Sequence, residues 1–119
     1  MPIYYLVTET NSIGHVHDGG IKVSLFQDGK NICDSVASYG GKGEFVAPER
    51  HGAHAGIEHI SGMTMCSPSD SWKINLKPGQ KWKLDAAYDF DKFKPSMHAS
   101  GGLDKIMGIA LMYVRKKRV

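Results

Sequence analysis

Apolar and polar residues alternate in several short segments of the chain, and this pattern predicts strands rather than helices. Residues 21–25 alternate strictly, which is typical of a strand with one solvated face. Asp28 and Gly29 follow as a hairpin turn signal, so residues 32–39 are predicted to form the return strand. No segment carries the 3.6-residue period of an amphipathic helix.

A second pair of alternating segments flanks Pro78 and Gly79. Residues 72–76 and 82–86 place Trp, Ile and Leu on one face and mostly Lys on the other. The pattern predicts a hairpin with an aromatic inner face, because Pro-Gly favours a turn.

Two segments are apolar on both faces, residues 3–8 and 106–114. Strands of this kind are buried on both sides, so we interpret them as central strands that are candidates to pair with each other. On this interpretation Met107 and Met112 belong to the core.

Six to seven short strands separated by turn signals predict an all-β chain. We expect a single-domain antiparallel β-sandwich or small barrel over residues 1–119, with a basic C-terminal tail at 115–119. Its 119 residues, 41% of them hydrophobic, suffice for one core. Three Gly-rich or irregular stretches, residues 11–20, 48–62 and 91–104, are predicted to be long loops that contain histidine.

The net charge of +3 arises from the basic run at residues 115–118. Without that run, eleven basic residues stand against twelve acidic ones, so the body of the domain does not predict a nucleic-acid surface. No stretch approaches the length of a membrane-spanning helix. The N-terminus as written has no signal peptide, which predicts a cytoplasmic protein; a mature secreted domain with an added Met would look the same.

The six histidines all fall in or beside the predicted loops, where imidazoles from different loops can converge. His15 and His17 have the spacing that puts both rings on one side of an extended strand. His51 and His54 would share a face in a helical turn, and Glu58 would join them. The candidate metal ligands are His15, His17, His51, His54, His59, His98, Glu58, Met65 and Cys66.

Imidazole suits both copper and zinc, but thioether and thiolate ligands select copper(I). Because Met65 and Cys66 follow the middle His cluster, we expect copper first and zinc second, in metal carriage or metal-assisted catalysis. Cys33 and Cys66 either form a disulfide or remain free thiols, and Cys66 could ligate a metal only as a free thiol.

Two other functions stay open. The loop histidines, with neighbouring carboxylates, would also suit a small enzyme that uses acid–base catalysis on a small organic substrate without a metal. A carbohydrate-binding or small-ligand-binding module would use exposed aromatic side chains, although the alternation with Lys favours core packing for them. Those aromatic residues are Trp72, Trp82, Tyr88 and Phe90.

Overall fold

A computed structural model describes residues 5–46, 56–67, 74–97 and 101–118. These residues form eight strands and one short 3₁₀ turn, Gly43–Phe45, and so confirm the all-β prediction. In chain order the strands are β1 (Tyr5–Val16), β2 (Gly20–Gln27), β3 (Lys30–Tyr39), β4 (Ile60–Met63), β5 (Met65–Cys66), β6 (Ile74–Leu76), β7 (Trp82–Tyr88) and β8 (Gly108–Arg118).

The strands form two antiparallel sheets that pack face to face as a sandwich. In the first sheet, β1 pairs with β8 on one side and with β5 and β6 on the other. The second sheet has the order β4-β3-β2-β7. The predicted pairing of the two doubly apolar strands is confirmed, since the β1–β8 ladder runs from Tyr5 opposite Arg118 to Val16 opposite Gly108.

The core lies between the sheets, and a disulfide cross-links the two sheets there. Leu25, Ile32 and Cys33 of the second sheet are at most 8% exposed and pack against Cys66 of the first. Cys33 and Cys66 are joined through their sulfurs, with Cα atoms 5.9 Å apart, which resolves the alternative left open by the sequence. The bond therefore links the two sheets directly.

The sheets approach closely at Gly14. A Cβ at this position would lie 2.6 Å from Cβ of Val23, so no larger residue fits without displacing the facing strand. The Gly14 amide donates to Oγ of Ser35 at 2.9 Å, and that hydroxyl donates to the carbonyl of Thr64 at 2.6 Å. Small and polar residues thus set the spacing of the sheets beside the histidine pair.

The hairpin predicted across Pro78 and Gly79 is wrong. β6 pairs with β1 in the first sheet, whereas β7 pairs with β2 in the second. The turn passes the chain from one sheet to the other, because alternation identifies a half-buried strand but not the partner beside it. By contrast, the Asp28-Gly29 turn is confirmed: both residues have positive φ, and Gln27 pairs with Lys30 across it.

Three other expectations need correction. β1 continues to Val16, so the loop predicted at residues 11–20 is reduced to residues 17–19, and His15 is a strand residue. The basic residues 115–118 extend β8 and pair with residues 5–8 instead of forming a separate tail. β8 is not the buried central strand that was predicted: among the described strands it pairs with β1 alone, its residues Ile109, Leu111, Tyr113 and Val114 are 41–53% exposed, and Met107 and Met112 are 36% and 40% exposed. No helix among the described residues is long and apolar enough to span a membrane.

Candidate metal centre

His15 and His17 lie together at the C-terminal end of β1. Residues two apart in an extended strand project to the same side, and here the two rings meet edge to face with centroids 5.5 Å apart. Two imidazoles that ligate one ion have roughly this separation, since each metal–nitrogen distance is about 2 Å. The pair therefore has the spacing of a bidentate metal-binding unit.

One ring nitrogen of His17 is already oriented by the backbone. Its Nδ1 lies 2.7 Å from the carbonyl oxygen of Lys105. A carbonyl only accepts hydrogen bonds, so Nδ1 carries the proton and the unprotonated lone pair of neutral His17 is on Nε2. A histidine that ligates a metal through one ring nitrogen usually makes such a hydrogen bond with the other, because the bond fixes the tautomer and the ring orientation.

The segment that precedes β8 wraps around His17. One step beyond the last ladder pair, Val16 opposite Gly108, the chain places Met107 beside His17. The backbone amides of both residues donate to the Tyr88 hydroxyl, at 3.0 Å from His17 and 3.1 Å from Met107. Met107 is therefore a neighbour of the histidine pair and is not a residue of the core between the sheets.

An open cleft of about 420 Å³ begins at the two histidines. Its walls come from the end of β1, from β4 and from the segment before β8, so both sheets contribute to it. The lining residues are His15, Val16, His17, Asp18, Ile60, Gly62, Met63, Ser96 and Asp104. This volume suits a small organic molecule or ion bound beside the imidazoles.

Asp18 joins the walls of this cleft. Its carboxylate, 9% exposed, accepts hydrogen bonds from His59 Nδ1 at 2.5 Å, from the Ser96 hydroxyl and from the Ile60 amide at 2.9 Å. Burial alone would raise the pKa of Asp18, but these hydrogen bonds, led by that of His59, outweigh it and lower the pKa below the ordinary value. The carboxylate is therefore ionised at neutral pH and holds three segments of the chain together.

Tyr39 holds the turn between β1 and β2, which contains Asp18. Its hydroxyl accepts the Gly19 amide at 2.9 Å and donates to the Gly20 carbonyl at 2.8 Å, while its ring stacks on Phe93. Burial, the largest cause, raises the pKa of Tyr39 to about 12, so the hydroxyl keeps its proton at neutral pH. The residues that follow His17 are thus held by two tyrosines and one aspartate.

Comparison with known proteins assigns the chain to a family. The model of the family Stress up-regulated Nod 19, SURNod19, matches residues 8–115, which include every described residue that lines the cleft. The chain belongs to the SURNod19 family.

Two curated relatives of this SURNod19 chain carry a chemical description. The probable copper-dependent oxygenase clz3 of Cochliobolus lunatus is 33% identical over 102 residues, which are 86% of the chain and 29% of the relative. The probable copper-dependent oxygenase M1 of a Phoma species is 32% identical over 102 residues, 86% of the chain and 23% of the relative. The chain thus spans less than a third of either relative. No solved structure matches it significantly.

The structure assigns different surroundings to the other predicted ligands of the SURNod19 chain. His59 lies against Asp18, and Glu58 packs on Gly40 and does not line the cleft. Met65 is 52% exposed and pairs with Ile13. Cys66 is part of the disulfide, so it has no thiolate to offer a soft metal. His51, His54 and His98 lie outside the described residues.

Sequence reasoning also missed residues that line the site. Within the described parts of the chain, no three His, Cys, Asp or Glu side chains come together as a metal-binding group. Two sulfur-bearing residues stand by the pair, Met63 on the cleft wall and Met107 beside His17. The His17-Asp18 neighbourhood was visible in the sequence, but the partners of Asp18 come from residues 42 and 78 positions away.

The described aromatic residues that were considered for a carbohydrate site have different surroundings. Trp82 and Phe90 are 37% and 40% exposed, so the expected core packing is incomplete for both. Tyr88 is half-buried and directs its hydroxyl at the backbone of His17 and Met107, with its ring tilted against that of Phe90. Trp72 lies outside the described residues.

Proposed function

We propose that this chain forms a copper site of a copper-dependent oxygenase, with His15 and His17 as its ligands. The observation that carries the proposal is the hydrogen bond from His17 Nδ1 to the Lys105 carbonyl, which leaves Nε2 free beside the ring of His15. Both relatives are described as probable copper-dependent oxygenases, which supports copper over zinc. Imidazole ligands alone suit either metal.

A thioether completes the proposed ligand set. Two imidazoles leave coordination positions open, and sulfur favours the reduced, copper(I) form. Met63 lines the cleft that contains both histidines, whereas Met107 lies beside His17 and is 36% exposed. These two residues replace Met65 and Cys66 as the sulfur candidates.

Copper bound here would supply one-electron and dioxygen chemistry. The chain's own residues would hold and orient the reactants. Asp18 and Asp104 give the cleft wall a polar character, while Ile60 provides apolar surface for the carbon skeleton of a small organic substrate. Lys105 orients His17 through its carbonyl. The oxygenase activity of the much longer relatives is carried over to this chain as part of the proposal.

Metal titration tests the histidine pair. The protein is expected to bind one equivalent of copper by calorimetry, and copper(II) should show nitrogen coupling by electron paramagnetic resonance. Joint substitution His15→Ala and His17→Ala should weaken binding by more than about 100-fold, because it removes both nitrogen ligands. His59→Gln is the matched control, since its ring lies against Asp18 and should not affect the affinity. Unchanged binding in the double variant would overturn the proposal.

The thioether is assigned by comparing Met63→Leu with Met107→Leu, which keep the volume and remove the sulfur. The substitution that removes the ligand should weaken copper(I) binding by about 10-fold or more and leave copper(II) binding much less affected. X-ray absorption should lose its sulfur scattering in the same variant only. Sulfur scattering that survives in both variants would exclude both residues.

A second function is supported by a separate observation, the 2.5 Å contact between Asp18 and His59. A carboxylate that holds Nδ1 of a histidine leaves Nε2 to act as a base, which is the arrangement of acid–base catalysis without a metal. We propose it as the alternative, for a small organic substrate bound beside the ring of His59, which is 42% exposed. It predicts that the protein binds no metal above background and that His59→Gln, rather than the His15 and His17 double variant, abolishes turnover.

A further inference from the structure

The hydroxyl of Tyr88 makes three hydrogen bonds, all to the backbone around the histidine pair. It accepts the amides of His17 and Met107, at 3.0 and 3.1 Å, and donates to the Met107 carbonyl at 2.5 Å. A phenol has one donor and two acceptor sites, so its capacity is fully used. The position of the oxygen is therefore determined by two segments that lie 90 residues apart in the sequence.

Tyr88 reaches these segments from the other sheet. It is the last residue of β7 and pairs with Gly20 in the second sheet, whereas His17 and Met107 flank the ends of β1 and β8 in the first. The ladder between β1 and β8 ends at Val16 and Gly108. Beyond that point no strand pair holds the two segments side by side; the Tyr88 hydroxyl joins their backbones, and the hydrogen bond from His17 Nδ1 to the Lys105 carbonyl joins them as well.

The close packing beneath this contact limits how far the hydroxyl can move. A Cβ on Gly108 would lie 2.5 Å from Cβ of Ala86, so β8 is pressed against β7 just before Tyr88. The ring of Tyr88 also packs against Phe90, with centroids 5.6 Å apart. A phenylalanine at position 88 would keep these ring contacts and lose only the oxygen.

We infer that Tyr88 is a positioning residue, which fixes the backbone of His17 against the segment that precedes β8 and so builds the metal centre before the ion binds. The inference rests on the proposed copper site. Two backbone segments that lie beyond the end of a ladder would otherwise vary in separation. A metal site tolerates little variation in the placement of its ligands. Tyr88 touches the backbone of both segments and is not itself a ligand.

The test compares Tyr88→Phe with Tyr39→Phe. Each substitution removes a tyrosine hydroxyl that bridges backbone groups, but Tyr39 contacts Gly19 and Gly20 and neither His17 nor Met107. Both variants should lose some thermal stability. Only Tyr88→Phe should weaken copper binding, by about 10-fold or more, and broaden the copper(II) resonance spectrum. The amides of His17 and Met107 should also exchange faster with deuterium in that variant alone.

Copper affinity and spectrum equal to wild type in Tyr88→Phe would overturn the inference, and so would equal losses in both variants, which would indicate general destabilisation. The proposed function is judged separately on wild-type protein and the His15 and His17 double variant. Failure of wild-type protein to bind copper removes both proposals. Normal binding by Tyr88→Phe removes only the role of Tyr88.

Discussion

The two ends of the sandwich are held together by different kinds of interaction. Near the β2–β3 hairpin, the sheets are joined by the apolar side chains of Leu25 and Ile32 and by the disulfide. At the opposite end, where β2 begins, the contacts are hydroxyl and carboxylate hydrogen bonds from Tyr88, Tyr39 and Asp18. One end is apolar and covalent, the other polar and directional.

This difference separates stability from geometry. Burial of apolar surface is non-directional and tolerates small shifts of the packed groups, whereas a hydrogen bond weakens steeply when its distance or angle changes. The hydrogen bonds of Tyr88 and of the Lys105 carbonyl at the polar end are therefore suited to fix the placement of His17, and the apolar end keeps the sheets together. Three substitutions test this division.

The largest effect is expected at the disulfide. Joint substitution Cys33→Ala and Cys66→Ala removes a bridge between residues 33 apart in sequence, and the free energy of unfolding measured in urea should fall by about 3–4 kcal/mol. Reduction of the wild-type protein is the control and should cost a similar amount. Copper affinity of the remaining folded protein should not change. A parallel loss of copper affinity would show that the two ends are not independent.

A smaller effect is expected at Gly14, which lies between the two ends. Gly14→Ala places a Cβ 2.6 Å from that of Val23 and should reduce the free energy of unfolding by about 2 kcal/mol, because the sheets must separate. Gly62→Ala is the matched control, since a Cβ there meets nothing within 4 Å. Thermal unfolding compares the two variants. Equal stability of the two would show that the sheet spacing at Gly14 is not limiting.

The smallest effect is expected at Asp18, and it should depend on pH. Asp18→Asn removes the charge that three donors stabilise and should cost about 1.5 kcal/mol at pH 7. Because the native pKa of Asp18 lies below its unfolded value of about 3.9, this contribution is fully present above that value and is lost as pH falls through the native pKa.

The stability difference between wild type and Asp18→Asn should therefore close on acidification below about pH 4, which denaturant titrations at several pH values would measure. Asp85→Asn serves as the control, because Asp85 is an exposed carboxylate whose ion pair with Lys83 lies on the surface and contributes little to stability. A difference that stays constant with pH would show that hydrogen bonding by the side chain matters and its charge does not.

Much of the fold could be predicted because strands leave a local signature. The alternation at residues 21–25, the Asp28-Gly29 turn and the doubly apolar terminal strand all correspond to observed elements. The partner of each strand could not be predicted from alternation, which is why Pro78 and Gly79 were taken for a hairpin turn instead of a crossing between sheets.

The candidate site was predictable only in part. His15 and His17 stand two residues apart, so their shared face follows from strand geometry alone. The contacts of Tyr88 with His17 and of Asp18 with His59 join residues 71 and 41 positions apart, and nothing in the local sequence encodes them. Met107 was assigned to the core because it stands in an apolar run, yet it precedes β8 at the strand's exposed end.

The irregularity in β1 determines which residue of the neighbouring segment lies opposite each histidine, because it shifts the β1–β8 register by one residue. Glu9 is opposite Val114, but Asn11 is opposite Tyr113, so β1 contains one more residue than its partner at this point. Without that extra residue the ladder would bring Ile106, and not Met107, beside His17. A single-residue insertion or deletion between Glu9 and His15 would thus shift this register again and change which residue lies opposite each histidine. Evolution can alter this segment by substitution far more easily than by a change in length.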